Sequence, residues 1–145
     1  MKKIPKKQLG ELLVDRCLIT QEQLEKSLEF QREKGGLLGQ ILVAFHYTTE
    51  EAIAQALTAQ YGFPYLPLGG YEIDPEVAKL IPEYVAKQYD LIAVDCVGSI
   101  LTVAMSNPLN TQAIEDVEML THYQVQVFVT TTTDVSTAIK SIYKA

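Results

Sequence analysis

The N-terminal part of the chain carries two copies of one pattern of apolar and polar positions. Residues 9–14 (LGELLV) align with residues 38–43 (LGQILV), an offset of 29 residues. The offset continues over a threonine, two aliphatic residues and a glutamine, pairing Thr20 with Thr49, Leu24 with Ile53, Leu28 with Leu57, and Gln31 with Gln60. Repeated units of this size usually cannot bury an apolar face alone, so we expect the two copies to pack together.

Each copy predicts two helices. The first is short and covers residues 10–16 or 39–45, and the second begins at Thr20 or Thr49. Thr20 and Gln23 have the spacing of a capping box. In each copy, the two aliphatic residues and the glutamine fall at i, i+4 and i+7. This spacing places the three side chains on one helical face. Glycines at 35, 36 and 62 predict the breaks that follow the two longer helices.

The apolar pattern changes after residue 72. Asp74 before Pro75 predicts a helix start, and Pro82 opens a second helical stretch. Apolar runs at 91–97 and 100–105 flank Gly98-Ser99, which predicts a hairpin. A helix at 110–123, a strand at 125–130 and a helix at 134–144 follow, and the crossover predicts a parallel strand pair. We therefore predict an α+β fold, with a duplicated helical subdomain (1–62), a linker (63–72) and a small three-stranded α/β subdomain (73–145).

Composition restricts the class of protein. The chain has 145 residues, 48% of them hydrophobic, which excludes a disordered chain. No apolar run approaches the ~20 residues of a membrane helix, and the start does not predict a secretory signal. Cys17 and Cys96 lack metal-type spacing and suit a reducing cytoplasm, so we expect a cytoplasmic protein without a metal site.

The net charge of −6 argues against DNA or RNA as a partner. The positive charge is nevertheless concentrated at the start of the chain, in Lys2, Lys3, Lys6 and Lys7. This segment is either a solubilising terminus or an arm that attracts an anion to a neighbouring site. A small ligand with two negative charges can be bound by such a local patch of positive charge and does not need a basic domain.

The repeated glutamines, Gln31 and Gln60, do not suit simple core packing. A buried amide needs hydrogen-bond partners, which are either the facing loop or the edge of a ligand shared by both copies.

Taken together, these motifs resemble the N-terminal domain of type II secretion and type IV pilus assembly ATPases. The tandem repeat carries the resemblance, and residues 73–75 (IDP), 80–82 (LIP), 101–105 (LTVAM) and 107–110 (NPLN) extend it over nearly the whole chain. The ligand-binding form of this domain, often called MshEN, binds the bacterial second messenger cyclic di-GMP. The resemblance implies a non-catalytic regulatory domain that couples this ligand to an ATPase motor domain on the same or another chain.

The resemblance also implies roles for individual residues. The two Leu-Gly pairs would present backbone N–H groups to phosphate, as helix starts do. Aliphatic side chains would lie under guanine and ribose, and the two glutamines would meet the base edges. The candidate ligand residues are Gln8, Leu9, Gly10, Leu13, Leu24, Leu28, Gln31, Leu38, Gly39, Leu42, Ile53, Leu57, Gln60 and Asn107.

This chain departs from the family pattern at several of these positions. Ligand-binding members commonly have a basic residue, often Arg, where Gln8 and Leu37 stand, and can have an acid where Asn107 stands. Loss of one charged hydrogen bond typically costs ~1.5–3 kcal/mol. The family glycines are replaced by Cys17 and His46, where a left-handed backbone is expected. We interpret Cys17 as a small buried filler and His46 as structural.

Two functions of different kinds remain. No phosphate-binding loop or catalytic grouping is recognisable, and Glu115, Asp116 and Glu118 predict a solvated helix face. The first function is cyclic di-GMP binding. The alternative is a docking domain that has lost the nucleotide and binds inner-membrane platform proteins, which would make the protein peripheral to that membrane. An unrelated helical repeat would lack the α/β half.

Overall fold

The structure, a computed structural model, describes residues 8–143. Its helices and strands follow one another as α1 Leu9–Asp15, α2 Gln21–Lys34, α3 Leu38–Ala44, α4 Glu50–Tyr61, α5 Pro75–Ala78, α6 Glu83–Tyr89, β1 Leu91–Val97, β2 Ile100–Met105, α7 Thr111–Thr121, β3 Gln124–Val129 and α8 Thr132–Ile142. The predicted α+β fold is confirmed. We call α1 to α4 the repeat half, and the part from α5 to α8 the α/β half.

Two equivalent helix pairs make up the repeat half, as the duplication predicts. The Thr20 hydroxyl accepts a hydrogen bond from the Gln23 backbone, and the Gln23 side chain accepts one in return from the Thr20 N–H, which confirms the capping box. Thr49 caps α4 in the same way, by accepting from the Ala52 N–H. These caps satisfy backbone donors that would otherwise lack a partner at a helix start.

Left-handed residues end the short helices of both copies. Cys17 has φ 61° and His46 has φ 63°, which confirms the expected backbone at the positions where the family has glycine. Such a backbone costs a non-glycine residue ~1–2 kcal/mol. The interpretation of Cys17 as a buried filler is wrong: its side chain is exposed because the turn after α1 lies on the surface.

The sheet has the order β1-β2-β3. β1 and β2 form the predicted antiparallel hairpin, and β2 and β3 are parallel through the α7 crossover. Residues 64–66 add to the free edge of β3, because the Leu66 N–H donates to the Val129 carbonyl and the Val129 N–H donates to the Pro64 carbonyl, both at 2.9 Å. The chain between the halves is therefore partly held by the sheet.

Two hydrophobic clusters hold the fold. One lies around the sheet, between β1, β2 and the helices of the α/β half. The other fills the repeat half and also takes in Leu109 and Val129 from the α/β half. The halves therefore meet through shared apolar contacts, while the division at residues 62 and 73 stays a prediction. Within residues 8–143, none of the helices is long and apolar enough to cross a membrane.

Candidate functional site

A cavity of about 570 Å³ lies where the two halves meet. Its wall combines the starts of α1 and α3 and one face of α2 with the segments that follow β2 and β3. Its volume is in the range of small-molecule sites, about 300–1,000 Å³. The carboxyl ends of parallel strands are a frequent place for ligands in α/β folds.

The structure brings ten of the fourteen predicted ligand residues to this cavity. They come from both copies of the repeat and from the turn after β2: Gln8, Leu9, Gly10, Leu24, Leu28, Gln31, Leu38, Gly39, Ile53 and Asn107.

The other four residues are elsewhere. Leu13, Leu42 and Leu57 have no exposed surface and belong to the core of the repeat half, so they are not part of the wall. Gln60 is exposed outside the wall, and its Oε1 accepts from Arg16 Nη1 at 3.5 Å. The two glutamines therefore differ: Gln31 lies on the wall, with its Nε2 donating to the Gly36 carbonyl at 3.0 Å.

The two glycines of the Leu-Gly pairs also differ. A Cβ atom added to Gly10 would lie 2.5 Å from Leu24 Cδ1, so a larger residue here would push the buried Leu24 side chain aside. At Gly39 the nearest atom, Leu9 Cδ2, would be 3.6 Å away, an ordinary van der Waals distance. Packing thus favours glycine at the first position, where a larger residue must displace Leu24, and tolerates a larger residue at the second.

Asn107 has a local structural role in addition to its place on the wall. Its Oδ1 accepts from the Leu109 N–H at 3.2 Å, which holds the turn before α7. Asn110 then caps α7 by accepting from the Ala113 N–H.

Sequence reasoning missed most of the wall outside the repeat and four residues of the wall within it. It did not identify Glu11, Gln40, Val43, Glu50, Tyr89, Ser106, Leu109, Asn110, Thr111, Gln112, Thr130, Thr131 and Thr132. Ser106 and Thr130 directly follow the parallel strands β2 and β3. Their position at the strand ends was a signal in the sequence that could have found them.

Side-chain hydrogen bonds join the halves at the edge of the cavity. Gln40 Nε2 donates to Thr132 Oγ1 at 2.8 Å. The Glu50 carboxylate accepts from the Thr133 N–H at 2.6 Å and from its hydroxyl at 2.8 Å. Charged hydrogen bonds at a helix start are favourable, so α4 and the start of α8 hold each other in place.

Asp90 lies behind this edge, with 4% of its surface exposed and with φ 56°. Burial raises the pKa of its carboxyl, and hydrogen bonds from the Ser106, Thr132 and Gln40 side chains act in the opposite direction. Its Oδ2 has no hydrogen-bond partner among the described residues. Ser106, Thr132 and Gln40 all line the cavity, so the Asp90 carboxyl lies directly behind the wall.

Two carboxylates of α7 are not simply solvated. Asp116 accepts from the Tyr89 hydroxyl and from Gln112 Nε2, and Glu118 accepts from the Val125 N–H at 2.9 Å. The prediction of a solvated face is therefore wrong for these two residues, because each ties α7 to a neighbouring element. Glu115 is exposed as predicted.

The charge of the wall is negative. Its charged members among residues 8–143 are Glu11 and Glu50, and none of its described residues is Lys or Arg. The lysines at positions 2, 3, 6 and 7 lie outside the described residues. In that same described part of the chain, no group of three or more His, Cys, Asp or Glu side chains is arranged to hold a metal ion.

Comparison with known proteins gives a consistent group of relatives. The MshEN domain matches residues 61–145. The chain is 35% identical over 135 residues to the type IV pilus assembly ATPase PilB of Myxococcus xanthus, covering 93% of this chain and 24% of that protein. It is 39% identical over 127 residues to the type IV pilus assembly ATPase PilB of Thermus thermophilus, covering 86% of this chain and 14% of that protein. The chain thus spans a quarter or less of these relatives.

Solved structures agree with this grouping. A structure of MshE with cdg superimposes with a TM-score of 0.69 and 25% identity, covering 95% of this chain and all of that one. The N-terminal domain of XpsE has a TM-score of 0.74 at 17% identity, covering 97% of this chain and 96% of that one, a likeness of fold alone.

Proposed function

The chain belongs to the MshEN domain family of pilus and secretion ATPases, and from this membership we propose that it binds cyclic di-GMP as a regulatory ligand. The observation that carries the proposal is the cavity, whose wall contains ten of the fourteen positions that the family resemblance implies for the ligand, from both copies of the repeat and from the turn after β2. A second support is MshE, a relative of 25% identity whose solved structure contains cyclic di-GMP.

The apolar part of the proposed site would hold the base and ribose. Leu24, Leu28 and Ile53 form a continuous aliphatic surface on α2 and α4, and such surface supplies most of the contact area of a ligand site. Gln31 would offer its amide to one guanine edge, by exchanging its bond to the Gly36 carbonyl for a bond to the ligand.

The described wall of the proposed site offers no positively charged side chain to the phosphates. The described wall carries Glu11 and Glu50, and positions 8 and 37 hold Gln and Leu where ligand-binding members have Arg. Two lost charged hydrogen bonds, at ~1.5–3 kcal/mol each, would weaken binding on the order of a hundred- to ten-thousand-fold. We propose that Lys6 and Lys7, just before Gln8 in sequence, supply part of the missing charge.

In this proposal the domain is not itself catalytic. It would couple ligand occupancy to an ATPase motor domain on the same or another chain, in the cytoplasm and at the inner membrane through partners. The relatives named as ATPases are about four to seven times longer than the matched region, which leaves room for such a motor domain.

Calorimetry with cyclic di-GMP tests the binding. Gln31→Ala should weaken it about five- to tenfold through loss of a base contact. Gln60→Ala is the matched control, since it changes the same slot of the second copy outside the cavity, and it should bind like the wild type. No heat at tens of micromolar ligand with folded wild-type protein would overturn the proposal.

The acidic wall and the missing arginines favour a second candidate, a docking domain for inner-membrane platform proteins. Pull-down of the chain with platform components, repeated with and without cyclic di-GMP, separates the two. Capture of platform proteins that is unchanged by cyclic di-GMP, combined with an absence of heat in calorimetry, would favour docking.

A further inference from the structure

The two copies of the repeat contribute different pattern positions to the cavity. The first copy supplies Leu28 and Gln31 at its last two pattern positions. The equivalent residues of the second copy are absent from the wall, because Leu57 is in the core and Gln60 is on the outer surface. A ligand with two identical purine halves would therefore meet the repeat pattern in full with only one of them.

The α/β half supplies an aromatic side chain to the same cavity. Tyr89, the last residue of α6, is the only aromatic member of the wall within the described part of the chain. The residue is half-buried, because it also packs against the apolar cluster around the sheet. The Tyr89 side chain thus packs against the core on one side and borders the cavity on another.

Hydrogen bonds from a second helix fix the ring. The Tyr89 hydroxyl donates to Asp116 Oδ2, and the other oxygen of Asp116 accepts from Gln112 Nε2 at 2.7 Å. Gln112 itself lies on the cavity wall. The bond to Asp116 raises the pKa of the Tyr89 hydroxyl, which favours its protonated, donating form. The ring is therefore pre-oriented, which reduces the entropy lost when a ligand stacks on it.

We propose that Tyr89 is the stacking platform for one purine ring of the ligand, with Asp116 and Gln112 as the residues that position it. The inference rests on the proposed function, because it assigns the second purine of that ligand to the α/β half. An aromatic ring offers every base a π-face, and such stacking typically changes affinity about five- to a hundredfold. It would replace the contacts that Leu57 and Gln60 do not provide.

Calorimetry on three variants tests the platform with cyclic di-GMP as the probe. Tyr89→Leu removes the ring and keeps an apolar side chain, so the affinity should fall at least about fivefold. Tyr89→Phe keeps the ring and loses only the bond to Asp116, so it should stay within about threefold. Tyr84→Leu is the control, because it removes a tyrosine of the same helix that is 66% exposed and absent from the wall.

A direct contact measurement on the wild type makes the test independent of variant folding. Nuclear Overhauser effects should join the Tyr89 ring protons to H8 of one purine, and the two H8 signals of the bound ligand should differ. Wild-type affinity in Tyr89→Leu, or no such contact in a saturated complex, would overturn the platform while leaving cyclic di-GMP binding intact. A wild type that does not bind would overturn both.

Discussion

The two copies of the repeat begin from the same pattern and end in different surroundings. In the first copy, Leu28 and Gln31 face the cavity, and Gly10 is pressed against Leu24. In the second, Leu57 joins a cluster with Leu109 and Val129 because α4 packs against β3. The α/β half thus covers the end of α4 in the second copy, whereas the equivalent end of α2 in the first copy faces the cavity. Both copies contribute to the wall, but a duplicated sequence need not produce two equivalent half-sites.

The largest expected difference between the copies is at Leu28 and Leu57. Leu57→Ala removes a fully buried side chain and should lower the free energy of unfolding by about 2–5 kcal/mol. Leu28→Ala removes a half-buried side chain on the cavity wall and should cost less than half as much. Urea denaturation of both variants measures this, and equal losses would contradict the asymmetry.

The Leu-Gly pairs should give the next largest effect. Gly10→Ala forces Leu24 aside and should destabilise the fold by about 1–3 kcal/mol. Gly39→Ala meets no close atom and should be neutral or stabilising by up to about 1 kcal/mol, since Ala is favoured over Gly in helices. Thermal unfolding of the pair is the measurement, and a larger loss at Gly39 would reverse our view of the packing.

The smallest expected effect concerns Asp90, whose neighbour Gln40 belongs to the second copy and stands at the position equivalent to Glu11 of the first copy. Burial raises the pKa of Asp90, so the folded state binds the proton more tightly than the unfolded state. The free energy of unfolding should therefore fall as the pH rises from the unfolded pKa of 3.8 through the folded value.

Asp90→Asn removes this titration, since its amide stays neutral. The negative charge of the nearby Glu50 carboxylate also raises the pKa of Asp90 in the wild type, and Glu50 is unchanged in the variant. We expect the stability of the variant, relative to the wild type, to increase as the pH rises from the unfolded pKa of 3.8 through the folded pKa. Urea denaturation across this range measures the difference, and a difference that stays constant with pH would show that Asp90 does not titrate in this way.

Much of the fold follows from local sequence signals. The capping box at Thr20 and the hairpin at Gly98-Ser99 are each determined by a few neighbouring residues. The left-handed turns at Cys17 and His46 were expected from the family resemblance, because the family has glycine at these two positions. The start of α8 at Thr132, two residues before the predicted start, depends on the Thr131 cap that our prediction overlooked.

The cavity could be predicted only in part. The repeat pattern marks residues that share a helix face, but burial on that face depends on what packs against it. The surroundings of Gln60 and Leu57 are decided by contacts over long distances in sequence, as are the partners of Asp116 and the position of Tyr89. Periodicity contains no information about such contacts.

A crystal structure of the chain with cyclic di-GMP bound tests the central claim most directly. The account predicts the ligand in the cavity between the halves, with one guanine edge at Gln31 and with Gln60 still at Arg16. A ligand bound symmetrically to Gln31 and Gln60, or bound away from Gly10 and Leu24, would contradict it.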